Sequence, residues 1–81
     1  MKRYFFCVRH DGGTIPDEEG DEFAALDDAR LSALTAIREL VAARIKNGLT
    51  IADDHLDICD ETGTVALSIS FHEVVEQHLA R

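Results

Sequence analysis

The stretch Leu26–Lys46, LDDARLSALTAIRELVAARIK, constrains this chain more than any other. At the helical step of about 100° per residue, Leu26, Ala29, Ala33, Ile37, Leu40 and Val41 fall on one face, with Leu34 and Ile45 at its margins. Asp28, Ser32, Thr35, Arg38, Glu39 and Lys46 fall on the other. A wide apolar face with the small Ala29 and Ala33 inside it suits a helix laid closely across a sheet. Asp27 and Asp28 in the first turn and Arg44 and Lys46 in the last complement the helix dipole. Asn47-Gly48 supplies a left-handed stop. Ala25 sits where an N-capping oxygen is usual, so the start is imperfect and Asp27 is an alternative cap. Leu31 lies toward the polar side and marks a candidate contact with a second subunit.

The flanking segments read as strands that need this helix. Residues 2–9, KRYFFCVR, place Tyr4, Phe6 and Val8 on one side and Phe5 and Cys7 on the other. Apolar groups on both sides indicate a central strand, or a strand with one face against a partner chain. Asp11-Gly12-Gly13 is a turn, Thr14-Ile15 a short returning strand that Pro16 ends, and Asp17-Glu18-Glu19-Gly20 a second turn. Asp21-Glu22-Phe23 then re-enters the structure with Phe23 inward. After the helix, Leu49 and Ile51 are expected to fasten a loop to the core. HLDICDETGTVALSISF follows as a β-hairpin turning at Asp60–Gly63, with Leu56, Ile58, Val65, Leu67 and Ile69 facing inward. Ser70 and Glu73 have the spacing of a capping box and open a short C-terminal helix, in which Phe71, Val74, Val75, His78 and Leu79 share a side.

The expectation is one small α+β domain over residues 1–81, ordered β-β-α-β-β-α. Its mainly antiparallel sheet carries the long helix across one face, and the short helix docks at the end. A core this small raises the expectation of a homodimer.

Charge narrows the function. Sixteen acidic residues against eight basic ones give a net charge of −8, and the basic residues are dispersed, which disfavours direct nucleic-acid binding. Eight acidic residues and no basic one lie between Asp11 and Asp28. Their spacing is not that of a calcium loop, so Asp17, Glu18 and Glu19 read as a solvated turn or a surface for a basic protein partner. No apolar run is long enough to span a membrane or to act as a signal segment, and the expected location is cytoplasmic. Cys7 and Cys59 form no CxxC and are expected to be free thiols. Whether they meet depends on whether their strands are neighbours.

No catalytic constellation emerges. His10 beside Asp11, and His55 near Asp53, Asp54 and Asp57, can each be drawn as a dyad, but such adjacency is common in a chain this acidic. There is no HExxH, GxGxxG or P-loop pattern, so no cofactor, no metal and no enzymatic activity are expected. An enzyme built on His10 or His55 would need both side chains in one pocket.

RYFF at residues 3–6, Asp11-Gly12-Gly13, Ile15, Asp17-Glu18-Glu19-Gly20, Glu22-Phe23, Leu26, Ala29-Arg30 and Asp60-Glu61-x-Gly63 resemble a family of short alphaproteobacterial proteins that carry RYFF…DGG…DEEG. That family is known only as a domain of unknown function, so the resemblance implies no catalytic residues. Ala25 departs from its usual capping residue. In layout alone, a hairpin leading into an acidic helix entry, the chain is similar to HicB-type antitoxin domains. The expected function is a non-catalytic interaction or regulatory module with Phe5, Cys7, Asp17, Glu18, Glu19 and Leu31 as candidate surface. An antitoxin-like or nucleic-acid-associated regulator that neutralises a basic protein is the alternative.

Overall fold

A computed structural model describes residues 1–80. The elements run β1 (Lys2–His10), β2 (Gly13–Ile15), β3 (Asp21–Phe23), α1 (Leu26–Lys46), β4 (His55–Cys59), β5 (Val65–Ser70) and α2 (Phe71–Glu76). All strand pairs are antiparallel, in the order β2-β1-β4-β5, with β3 beside the first half of β1. The α+β class and the long helix are as the sequence implies. The fifth strand, β3, is additional: two of its three residues are acidic, so it has no alternating pattern to betray it. It forms by pairing Lys2–Tyr4 with Asp21–Phe23, where Arg3 binds Glu22 at 3.2 Å.

The core lies between the sheet and the helices. Tyr4, Ala29, Ala33, Ile37, Val41, Leu56, Ile58, Ile69, Phe71 and Val74 are buried there, with Phe6, Val8 and Phe23 packed against them. Each fully buried large apolar side chain stabilises by about 1.5–3 kcal/mol relative to exposure. Phe23 does point inward, stacking on Phe6 with ring centroids 5.8 Å apart.

Three inward expectations fail, each for a definable reason. Leu40 is 41% exposed, and Ile45 at the margin of the face 62%, because the helix is buried only along Ala29, Ala33, Ile37 and Val41. Leu49 is 62% exposed; of the two apolar residues expected to fasten that loop, Ile51 packs against the core. Val65 is 51% exposed because a bulge at Ile58/Cys59 brings it opposite Cys59 rather than leaving it in phase with Leu67. Paired residues share a face, so Val65 passes to the side away from α1.

The helix ends follow local chemistry. Ala25 is extended and supplies no side-chain cap. At the other end the Leu49 amide donates to Arg44 O at 2.8 Å and the Gly48 amide to Ile45 O at 3.1 Å, a Schellman closure with Gly48 at φ 71°. For α2, the Ser70 hydroxyl accepts from the Glu73 amide at 3.3 Å and donates to Asp53 at 2.7 Å. The capping serine is therefore held in place by a carboxylate from the preceding loop.

Candidate interaction surface

Both helices lie on one side of the sheet, and the thinnest dimension of the molecule is 17 Å, about one sheet and one helix layer. Among the described residues, no helix covers the opposite face of the sheet. Strand pairing arranges it in three rows across β1, β4 and β5: Phe5, Cys59 and Val65; Cys7, Asp57 and Ser68; Arg9, His55 and Ser70.

The polar rows are knitted internally. Arg9 grips Asp57 with two guanidinium nitrogens at 3.0 and 3.3 Å and reaches Ser68 Oγ at 3.2 Å, while the Ser68 hydroxyl donates to Asp57 at 2.7 Å. Asp57 is 8% exposed. The Arg9 bond is the largest cause holding its carboxyl below the usual range; burial opposes this and Ser68 adds to it. The Phe5–Cys59–Val65 row is apolar. Burial, the larger cause, pushes the Cys59 thiol up, and the neighbouring Cys7 sulfur pushes it further. Cys7 and Cys59, far apart in sequence, are thus brought together, a proximity only the β1–β4 register could reveal.

Asp17 has a different task from the one its composition suggests. On the outer side of β1, β3 covers residues 2–4 and β2 covers residues 8–10. The Phe6 amide faces the gap between them and donates to Asp17 Oδ2 at 3.0 Å, while Oδ1 accepts from the Gly20 amide at 3.1 Å. Burial works to raise the Asp17 pKa, but the amides of Phe6, Gly20 and Glu19 together leave it lowered. Gly20, at φ 67°, lies against the Phe5 ring and Tyr4 O so closely that a Cβ would come within 2.7 Å of either. The turn is a plug in the sheet edge, from which Glu18 and Glu19 project as exposed side chains.

The six candidate residues therefore do not form one patch. Phe5 and Cys7 lie on the open sheet face, Glu18 and Glu19 at the β2/β3 edge, and Asp17 inside its turn. Leu31, 52% exposed, is in the helix layer on the other side. The histidines also separate. His55 pairs with Arg9 on the open face, whereas His10 lines a cleft with Val8, Arg44 and Asp54 on the helix side. His72 meets the Ile51 carbonyl at 2.9 Å. His78 borders an apolar groove of about 290 Å³ between α1 and α2, with Val41, Ile45, Val74 and Leu79. Among the described residues no group of three or more His, Cys, Asp or Glu could hold a metal ion, and no helix is long and apolar enough to cross a membrane.

Sequence reasoning passed over the free edge of β5. Phe71 N–H donates to Asp54 O at 2.8 Å, and the register His55↔Ser70, Asp57↔Ser68 then makes these two pairs the non-hydrogen-bonded ones of the ladder. The Ser68 N–H and C=O and the Ser70 N–H consequently point away from β4. The strand, VALSIS, contains no charge and no proline. Its guard is missing, whereas Pro16, Asp21, Glu22 and the Asp17 plug defend the opposite edge.

Residues 3–72 match the model of a domain of unknown function, DUF6894. The chain belongs to this family. No curated protein and no solved structure matches it. The matched span runs from β1 to the start of α2 and takes in the Asp17 turn, β4 and β5.

Proposed function

We propose that the chain is a non-catalytic interaction module that acts as a homodimer, two copies pairing β5 to β5 in antiparallel fashion about a twofold axis. The observation that carries this reading is the uncharged β5 edge with the outward backbone groups of Ser68. An antiparallel strand edge is self-complementary, so one patch serves both subunits, and main-chain hydrogen bonds supply the attraction. Pairing joins two sheets into one continuous sheet with all helices on the same side. Sedimentation of the full chain tests it: the wild type should sediment as a dimer that dissociates on dilution. Ser68→Pro removes the outward N–H, and a proline is tolerated on an edge strand; it should be a folded monomer. Ser68→Ala loses only the hydroxyl and should remain dimeric. A wild-type monomer at high concentration, or a Ser68→Pro dimer, overturns the reading.

A second reading, capture of a basic protein partner in the manner of an antitoxin, draws on Glu18 and Glu19, which extend from a rigidly held turn in a chain of net charge −8. Titration with a basic polypeptide should show salt-sensitive binding that Glu18→Lys with Glu19→Lys abolishes. Binding unaffected by the double reversal would refute it.

A further inference from the structure

Cys7 on β1 and Cys59 on β4 lie on the same open face, one step apart on a diagonal, since Cys7 pairs with Asp57 and Phe5 with Cys59. Both are free and half-buried. In a flat ladder such diagonal neighbours are about 7–8 Å apart, too far for a disulfide, which needs Cβ atoms about 3.5–4.5 Å apart. The right-handed twist of the strands shortens this diagonal, and the β1–β4 register runs unbroken through both cysteines. The Cys59 thiol is raised first by burial and then by the neighbouring Cys7, as expected of two side chains on adjoining strands of one face.

We propose that Cys7 and Cys59 are a redox modification site that closes to a reversible intramolecular disulfide by exchange with small-molecule disulfides. Cys59, its thiol raised chiefly by burial, is a poor first nucleophile, so the first attack falls to Cys7. The Cys7 thiolate attacks one sulfur of the small disulfide, breaks its S–S bond and expels a thiolate. The Cys59 thiolate then attacks the Cys7 sulfur of the mixed disulfide and expels the second small thiolate. Two protein thiols lose two electrons and two protons in total, and the small disulfide is reduced to two thiols. The product staples β1 to β4, the two central strands of the sheet.

The test uses the full chain, reduced and then equilibrated in buffers of increasing oxidised-to-reduced glutathione ratio, quenched with N-ethylmaleimide and weighed intact. At oxidising ratios the main species should carry no label and no glutathione and be lighter by the two hydrogens lost. Returning it to reduced glutathione should restore both labels. Cys7→Ser and Cys59→Ser should each lose this species and carry one glutathione instead. Retention of both labels at the most oxidising ratio, independent glutathionylation of each cysteine, or a disulfide solely between chains overturns the proposal. Should the variants unfold, proteolysis of the oxidised wild type decides the matter: a peptide pair joined through Cys7 and Cys59 supports it, and separate peptides refute it.

Discussion

Asp17→Ala tests the claim that the acidic turn is structural. The substitution leaves the Phe6 amide without its 3.0 Å acceptor and the Gly20 amide without its 3.1 Å acceptor. Hydrogen bonds to a charged group are worth about 1.5–3 kcal/mol each, and water entering the half-open gap recovers part of that. The net loss should be about 2–3 kcal/mol, and Asp17→Asn, which keeps one neutral acceptor, should lose roughly half as much. For a domain of this size, about 1 kcal/mol corresponds to a Tm shift of about 4–8 °C, so thermal and urea unfolding both resolve the difference. The pH dependence follows from the same contacts. Because the folded-state pKa is lowered, this stabilisation is complete above the unfolded value, about 3.9, and is lost as the pH falls through the folded one. Wild type minus Asp17→Asn should therefore be flat at neutral pH and shrink only below about pH 4. An Asp17→Ala variant within about 0.5 kcal/mol of wild type, the range of ordinary surface changes, refutes the plug.

Gly20→Ala should cost about 2 kcal/mol or more, since a Cβ there meets both the Phe5 ring and Tyr4 O at 2.7 Å; urea unfolding measures it. Ala25→Asp should stabilise by about 1 kcal/mol, because the position is already extended with φ −148° and ψ 162° and lacks only an acceptor; a higher Tm checks it. Arg44→Ala removes a 2.8 Å ion pair to Asp54, which is 8% exposed, and a guanidinium 5.4 Å above the Phe71 ring. It should cost about 3 kcal/mol because Asp54 is left buried and unpaired, and adding Asp54→Asn should recover part of the loss in a double-mutant cycle.

The helix and the hairpin were legible because their periods are written in the side chains: Ala29, Ala33, Ile37 and Val41 at helical spacing, Leu56 and Ile58 at strand spacing. What escaped depends on register. Val65 departs from its alternation because of one bulge. β3 exists through pairing with Lys2–Tyr4 rather than through its own composition. Asp17 is indistinguishable in sequence from Glu18 and Glu19, yet it alone turns inward, since only a strand edge interrupted at Phe6 creates a need for it. The meeting of Cys7 with Cys59 and the bare edge at Ser68 likewise follow from strand order, which no local pattern encodes. The resemblance carried by Asp17-Glu18-Glu19-Gly20 thus rests on a motif whose first and last residues do structural work.

The central claim is that β5 pairs with β5 of a second copy, and amide exchange at Ser68 tests it most directly. In an isolated subunit the Ser68 N–H points to solvent, whereas in the dimer it is bonded across the twofold axis. Exchange followed by NMR over a range of protein concentrations should show Ser68 protection rising with concentration, while Leu56 and Ile58 in the central strand stay protected throughout. Fast Ser68 exchange at every concentration would contradict the account.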